Sequence, residues 1–217
     1  MTYLEGVDLS RYQPPASTNW GMMQARAGIT FAFIQADSAF QQHVDNCRAE
    51  SSVLPIPYSF VLLTRPIDAQ IDALYDMVTR SGLGPTVALD CEHDPTSVGL
   101  KERIAMYEEA ANMVEARFGA KPIIYTYPYY NTGLWPEEFS DLPLWISHPS
   151  AEPDMSIKLL PKTWNGWAFW QYTDDKTVVQ YVPGYPGHAL RDRFNGTLDN
   201  LKTMLWAGDH WDAPVCS

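Results

Sequence analysis

Cysteine and positive charge are both scarce in this chain of 217 residues. The three cysteines, Cys47, Cys91 and Cys216, lie far apart and form no Cys-x-x-Cys pair, so the sequence predicts neither a disulfide framework nor a zinc site. We interpret them as buried free thiols and leave one disulfide pair open. The 15 lysines and arginines stand against 26 aspartates and glutamates, for a net charge of −11. This balance, without a basic cluster, argues against a nucleic-acid-binding surface.

The N-terminus lacks the features of a secretory leader. Residues 1–6 contain no basic segment, no long apolar run follows them, and no part of the sequence reads as a membrane-spanning segment. There is also no Gly-x-Ser-x-Gly elbow and no phosphate-binding glycine pattern, which argues against serine hydrolysis and against a phosphate loop. The histidines are scattered along the chain, so no metal ion or other cofactor is predicted.

What the sequence does contain is an alternation of strand-like and helix-like segments. Strands are predicted at 5–9, 30–36, 56–63, 85–92 and 121–127, with helices at 17–27, 41–53, 66–80 and 98–118. Three further strands are predicted at 142–147, 166–172 and 177–182, with little room for helices between them, and a last helix at 197–205. The pattern predicts one α/β domain over residues 1–217. We expect a barrel of about eight strands with most of its helices in the first half.

The fourth predicted strand ends in two acidic residues, Asp90 and Glu92. Residues two apart on a strand point to the same face, with Cα atoms about 6.5–7 Å apart. Two carboxylates at that distance repel each other, and one of them tends to keep its proton to higher pH. General-acid catalysis needs this arrangement, although two solvated acids in a turn would show the same spacing.

Polar and aromatic side chains also mark the ends of the other predicted strands. They are Asp8, Gln35, Asp37, Tyr58, Ser59, Tyr125, Tyr127, Trp145, Ser147, Trp170, Gln171 and Tyr172. In barrels built from βα units the active site lies at the carboxyl ends of the strands. Aromatic rings match the C–H face of a sugar, so this set favours a sugar-binding cleft around Asp90 and Glu92.

Five short motifs occur in a characteristic order. They are Gly6-Val7-Asp8-Leu9-Ser10-Arg11-Tyr12-Gln13, Leu89-Asp90-Cys91-Glu92, Pro122-Ile123-Ile124-Tyr125-Thr126, Leu144-Trp145-Ile146-Ser147 and Phe169-Trp170-Gln171-Tyr172-Thr173. Together they resemble the family 25 glycoside hydrolases, the lysozyme or muramidase family common among phage endolysins. The resemblance implies a modified TIM-like barrel, in which five βα units are followed by three strands with few helices.

The resemblance also implies a function. It indicates a peptidoglycan hydrolase that cleaves the β-1,4 bond between N-acetylmuramic acid and N-acetylglucosamine. Glu92 would be the general acid, with a pKa raised by Asp90 and by burial, and Asp8 would lie across the same cleft. Asp90 would stay ionised, stabilising positive charge or orienting the acetamido group of the substrate. The candidate sugar contacts are Tyr58, Tyr125, Tyr127, Trp145, Trp170 and Tyr172.

Two segments depart from the family pattern. After the second strand the family usually has Lys-Ala-Thr-Glu-Gly, whereas this chain has Gln35-Ala36-Asp37-Ser38-Ala39. Near the end the family commonly has Asp-x-Asn-x-Phe-x-Gly, and alignment on Phe194 places Leu190 at the family Asp and Asp192 at the family Asn. Asp192 is therefore our candidate for the fourth acid of the site.

Other interpretations of the same residues remain open at this point. The chain could be a non-catalytic glycan-binding module on the same scaffold, or a barrel glycosidase for another glycan such as chitin. His93 and Asp94 beside the acid pair could instead indicate a metal cluster. The expected partner is bacterial peptidoglycan and the expected state is a monomer. If the protein is a phage lysin, we expect synthesis in the host cytoplasm and release to the cell wall through a holin.

Overall fold

The computed structural model describes residues 3–130, 135–150 and 157–207. Its centre is a closed barrel in which the strands follow one another in chain order. The strands are β1 (Leu4–Leu9), β2 (Ile29–Gln35), β3 (Leu54–Phe60), β4 (Ala88–Asp90), β5 (Ile123–Thr126), β6 (Leu144–Ser147), β7 (Phe169–Gln171) and β8 (Arg191–Phe194). Strands β1 to β7 are all parallel, each pairing with its neighbour in chain order. Strand β8 runs antiparallel between β7 and β1 and closes the barrel.

The α-helices are concentrated in the first half of the chain. They are α1 (Trp20–Ala27), α2 (Phe40–Glu50), α3 (Ile67–Arg80) and α4 (Leu100–Phe118), with α5 (Leu198–Ala207) after the last strand. Where the later connections are described, they contain only the short 3-10 helices Glu137–Asp141 and Ile157–Leu159. The predicted fold class, a modified α/β barrel with a helix-poor second half, is confirmed. No helix in the described part of the chain has the length and apolarity needed to cross a membrane.

Local signals in the sequence explain where the helices begin and end. The side chain of Asn19 accepts a hydrogen bond from the backbone N–H of Met22 and so caps the start of α1. Gly119 ends α4 in the left-handed conformation, at φ 69°. Helix α3 buries the stripe Ile67, Ile71, Leu74 and Val78 against the barrel, which is the spacing that predicted it.

The predicted strand at 177–182 is wrong. The carboxylate of Asp174 accepts hydrogen bonds from the backbone N–H groups of Lys176, Thr177 and Val178, and this folds the segment into a turn. The eighth strand is instead Arg191–Phe194, whose alternation of arginines with Asp192 and Phe194 does not look like an apolar strand. Its outward arginines hold the carboxylate of Glu5 on β1 at 2.5 and 3.2 Å.

The apolar core has two layers because side chains on each strand alternate between the barrel interior and the helices. The interior layer includes Phe31, Phe33, Phe169 and Phe194, with Phe33 stacked on Trp145 at a centroid distance of 3.6 Å. Interior space is tight near the first strand, where a Cβ on Gly6 would lie 2.3 Å from the ring of Phe31. The aromatic rings fill the barrel interior below its carboxyl-end mouth.

Candidate active site

Four carboxyl groups gather at the carboxyl end of the barrel. Asp8 lies near the end of β1, Asp90 is the last residue of β4, and Asp192 lies near the start of the antiparallel β8. All three are buried, whereas Glu92, two residues beyond β4, is half-buried at the rim. Asp8 interacts electrostatically with Glu92 and Asp90, and its carboxyl is within hydrogen-bonding reach of Asp192. The fold therefore brings all four candidate acids together.

The amide of Gln171 connects three strands around this cluster. Its Nε2 donates to Asp8 Oδ2 at 2.8 Å, while its Oε1 accepts from the hydroxyls of Tyr125 at 3.0 Å and Ser147 at 2.7 Å. The sequence placed Gln171 and Ser147 at strand ends, but no chemical signal singled them out as site residues. They orient Asp8 and Tyr125 from β7 and β6.

Two buried carboxyl oxygens at the site have no fixed hydrogen-bond donor among the described residues. Asp90 Oδ1 is one of them. Asp192 Oδ1 accepts from Trp145 Nε1 at 2.8 Å, but its Oδ2 is the second. The carboxyls of Asp8 and Asp192 can form a hydrogen bond with each other when one of them carries a proton. Because buried polar atoms are normally paired, an unpaired acceptor at a barrel mouth indicates an atom held ready for a ligand.

Burial raises the pKa of every carboxyl in the cluster. It raises the pKa of Asp8 to about 7, although the Gln171 hydrogen bond lowers it, and the charge of Glu92 raises it further. Burial and then the charges of Glu92 and Asp8 raise the pKa of Asp90, and burial followed by Asp8 raises that of Asp192. At Glu92 the cause of the raised pKa is burial. Because the four groups interact, their protons are released as a coupled set rather than from four separate acids.

This environment differs from the sequence-based expectation in two respects, because burial rather than Asp90 raises the pKa of Glu92, and because the pKa of Asp90 is itself raised. Asp90 was expected to stay ionised and to raise the pKa of Glu92. Asp90 is the more buried of the two and lacks a donor at Oδ1, so burial first, and then the charges of Glu92 and Asp8, favour its protonated form. Asp90 is therefore not a permanently charged group.

The backbone beside Glu92 is held in place although it lies outside the strand. The carbonyl oxygen of His93 accepts from the hydroxyl of Tyr130 at 2.6 Å and from that of Tyr107 at 3.3 Å. The ring atom Nδ1 of His93 accepts from the backbone N–H of Leu63 at 2.8 Å. These contacts were not predicted, because they depend on the packing of α4 and of the segments that follow β3 and β5. They fix the position from which Glu92 enters the mouth.

The same contacts bear on the metal-cluster interpretation of His93 and Asp94. His93 uses its ring nitrogen on the β3 loop, and Asp94 pairs with Arg103. Across the described ranges, no three histidine, cysteine, aspartate or glutamate side chains are arranged to hold a metal ion. His93 therefore contacts the backbone of a neighbouring loop, and Asp94 forms an ion pair with a side chain of α4.

Four of the six candidate aromatic residues lie at the site. Tyr58, Tyr125 and Trp145 are buried in the interior layer, with Trp145 in edge contact with both tyrosines. Tyr127 is half-buried at the rim, and its pKa is raised by burial and by the charge of Glu92. These four rings form the wall beside the acids.

Trp170 and Tyr172 are not brought to the site. On β7 the side chains of Phe169 and Gln171 point into the barrel, so those of Trp170 and Tyr172 point away from it. Trp170 donates to the carbonyl oxygen of His148, and Tyr172 donates to Glu5 Oε2 at 2.6 Å. These two rings cover the outside of the helix-poor half of the barrel.

Comparison with known proteins gives one family. The model of the glycosyl hydrolases family 25 matches residues 7–181, a range that includes Asp8, Asp90 and Glu92 but ends before Asp192. A curated relative, the uncharacterized protein YegX of Escherichia coli O6:H1, is 29% identical over 216 residues, covering 93% of this chain and 73% of its own.

Solved structures show the same fold. The bacterial lysozyme of Streptomyces coelicolor superimposes with a TM-score of 0.76 at 22% identity, over 96% of this chain and 100% of its own. A family GH25 lysozyme of Aspergillus fumigatus gives a TM-score of 0.72 at 22% identity, over 94% and 100% of the two chains. At this level of identity the likeness concerns the barrel architecture.

The raised pKa of Asp8 predicts how stability depends on pH. With a pKa of about 7 in the folded state and 3.8 as its ordinary value, Asp8 keeps a proton between these pH values that the unfolded chain releases. Its contribution to stability is therefore complete below about pH 4 and is lost as pH rises toward 7. Relative to Asp8→Asn, wild type should lose at most roughly 4 kcal/mol of unfolding free energy over this range.

Thermal or urea unfolding of both proteins at pH 4, 5.5 and 7 measures this difference. The exposed Asp76 on α3 supplies the control variant Asp76→Asn, whose difference from wild type should change far less with pH. A difference between wild type and Asp8→Asn that stays constant with pH, or that grows in favour of wild type toward pH 7, would contradict the assignment.

Proposed function

Because this chain belongs to the glycosyl hydrolases of family 25, we propose that it hydrolyses the β-1,4 bond between N-acetylmuramic acid and N-acetylglucosamine in bacterial peptidoglycan. The observation that carries the proposal is the group of four carboxyls at the barrel mouth. Three of them are buried, and the fourth, Glu92, stands at the rim. The neighbouring rings of Tyr58, Tyr125, Tyr127 and Trp145 supply the apolar surface that a sugar requires.

Glu92 is the proposed general acid. Burial raises its pKa, so that it carries a proton closer to neutral pH than a solvated glutamate does. Its half-buried position at the rim leaves the carboxyl accessible to a glycosidic oxygen, and the hydrogen bonds to His93 hold its backbone still. Proton donation to the leaving oxygen from such a fixed acid is the principal contribution we assign to it.

Asp90 is the proposed partner of the substrate acetamido group. Its unpaired Oδ1 is placed to accept a hydrogen bond from the acetamido N–H. In this route the acetamido carbonyl oxygen attacks the anomeric carbon, the bond to the leaving oxygen breaks, and that oxygen takes the proton of Glu92. Asp90 gives up its proton to water as the substrate binds, and its carboxylate then stabilises the positive charge that develops on the acetamido group.

The second half of the reaction uses the same two residues. The Glu92 carboxylate removes a proton from water, the water oxygen bonds to the anomeric carbon, and the acetamido group is restored. Asp8 and Asp192 are assigned a supporting role, since their carboxyls are held by Gln171 and Trp145 rather than open to solvent. They maintain the protonation state of the cluster and the position of Asp90.

Loss of the proposed acid should remove catalysis without removing binding. Glu92→Gln is expected to slow the clearing of cell-wall suspensions by about 100- to 10,000-fold, because an amide of the same shape cannot donate this proton. The matched control is Glu109→Gln, which changes an exposed residue on α4 and should lyse like wild type. Equal lysis by Glu92→Gln and wild type would refute the assignment.

Two results would favour the alternative functions. Wall binding without lysis by wild type would indicate a glycan-binding module. Faster cleavage of chitin oligomers than of muropeptides would indicate a glycosidase for another glycan.

The stereochemistry of the first product tests the route through the acetamido group. Attack by that group followed by water gives two inversions at the anomeric carbon, so the product should retain the β configuration. NMR spectroscopy of the anomeric proton during the first minutes of digestion reads out the configuration before mutarotation. Release of the α anomer would exclude the substrate-assisted route and would point to direct attack by water.

A further inference from the structure

A single turn beside the acid cluster presents an arginine and a tyrosine to solvent. The turn spans Ser10 to Gln13 and is closed by a hydrogen bond from the backbone N–H of Gln13 to the carbonyl oxygen of Ser10, at 3.0 Å. Arg11 and Tyr12 are its two central residues. Both side chains are exposed, and Tyr12 reaches 74% exposure, unusual for a large aromatic residue.

The flanking residues make this turn rigid. Gln13 Oε1 accepts from the backbone N–H of Ser10 at 3.0 Å and from its hydroxyl at 3.2 Å. The hydroxyl oxygen of Ser10 accepts in turn from the backbone N–H of Tyr12 at 3.3 Å. The serine and glutamine of the opening sequence motif are therefore the residues that shape the turn, and the two residues between them are the ones it displays.

Two neighbouring elements hold the turn from outside. Asp37, after β2, accepts from the backbone N–H of Arg11 at 2.8 Å with one carboxyl oxygen and from Ala39 with the other. His43 on α2 is fully buried, and its Nε2 forms a hydrogen bond of 2.8 Å with the carbonyl oxygen of Gln13. A turn with this many fixed contacts loses little conformational freedom when a ligand binds to its tip.

The turn stands at the same barrel mouth as the acids. Arg11 follows Asp8 by three residues, so the Cα atoms of the two are at most about 11 Å apart. Burial raises the pKa of Tyr58 inside the barrel, and the charges of Asp8, Asp90 and Asp37 raise it further. Asp37 is also the residue that holds the turn. Asp37 and the turn that it anchors are thus within electrostatic reach of the cleft.

Arg11 and Tyr12 also contact each other. Arg11 Nη2 donates to the hydroxyl of Tyr12 at 3.1 Å, and the guanidinium carbon lies 4.9 Å from the ring centroid. The tip therefore combines an apolar ring with a positive charge that is held beside it. A sugar ring can lie on the tyrosine, and a guanidinium fork binds a carboxylate with two hydrogen bonds. In a chain of net charge −11, a cation at this rim offsets the repulsion of an anionic ligand.

We propose that the tip formed by Arg11 and Tyr12 is a substrate-binding site on the cleft rim, where Tyr12 contacts a sugar face and Arg11 pairs with a carboxylate of the glycan. This inference rests on the proposed function and deepens it, because it names the residue that distinguishes acid-bearing peptidoglycan from a neutral glycan. The carboxylate comes either from the lactyl group of muramic acid or from the peptide stem, and both have the same chemistry toward arginine.

Binding measured without turnover tests the site. In the Glu92→Gln background, dissociation constants are measured for intact peptidoglycan, for peptidoglycan stripped of its stems, and for chitin oligosaccharides, by co-sedimentation or titration. Arg11→Gln should weaken binding to intact peptidoglycan about fivefold, the size expected of an exposed ion pair, and should leave chitin binding unchanged. The loss should fall sharply in 0.5 M salt, because salt screens exposed charges.

Tyr12 has its own pair of variants and Arg11 has a matched control. Tyr12→Ala should weaken binding to all three glycans about three- to tenfold, and Tyr12→Phe should restore it, because the ring rather than the hydroxyl contacts the sugar. Arg26→Gln, at the exposed end of α1, removes the same charge away from the mouth and should bind like the parent. An Arg11 effect that persists on stripped peptidoglycan identifies the lactyl carboxylate, and one confined to intact peptidoglycan identifies the stem.

Several results would overturn the proposal. In the first, Arg11→Gln and Tyr12→Ala bind all three glycans as the Arg26→Gln control does. In the second, Arg11→Gln weakens chitin binding as much as peptidoglycan binding. In the third, the parent binds none of the three glycans. Failure of the proposed function looks different. If wild type does not cleave peptidoglycan but its binding depends on Arg11 and Tyr12, the binding site stands and the hydrolase assignment falls.

Discussion

The burial of several carboxyl groups in one barrel mouth is the constraint on which the rest of this structure depends. Charged carboxylates at Asp8, Asp90 and Asp192 would be costly away from water and would repel one another, so the folded protein retains protons there near neutral pH. Gln171 and Trp145 stabilise two of the three, but Asp90 Oδ1 is left unpaired. In the proposed reaction, Glu92 at the rim of this cluster would supply the proton to the glycosidic oxygen, and Asp90 Oδ1 would accept a hydrogen bond from the substrate.

The antiparallel last strand is what completes this cluster. Alternation along β8 places Asp192 inside the barrel and the two flanking arginines outside, where both pair with Glu5 of β1. A shift of the strand by one residue would exchange these faces and remove Asp192 from the mouth. On the outer surface Arg193 lies over the ring of Tyr172 at 4.2 Å, so cation–π and ionic contacts cover a region that helices cover elsewhere.

Local sequence patterns predicted much of this molecule, and long-range packing decided the rest. The stripe on α3 and the glycine that ends α4 are local signals, and the structure has both in the expected place. The acidic end of β4 at Asp90 was also predicted, but Glu92 lies two residues beyond that strand rather than on it. Strand β8 was missed because two of its residues are arginines, and the glutamate that pairs with both, Glu5, lies far away in sequence. Trp170 and Tyr172 were wrongly assigned to the cleft. Which residues of β7 point into the barrel depends on the contact between Gln171 and Asp8, which the sequence does not reveal. The protonation of Asp90 depends on burial, which spacing cannot reveal.

The most direct test of this account is a carboxyl ¹³C NMR titration of the free protein from pH 3 to 9. The account predicts that Asp8 titrates at about pH 7 and that the carboxyls of Asp90, Glu92 and Asp192 titrate above their ordinary values, with interdependent transitions. Four independent transitions at the ordinary values of aspartate and glutamate would contradict it. That result would mean that water solvates the mouth and that no proton is stored there for the sugar.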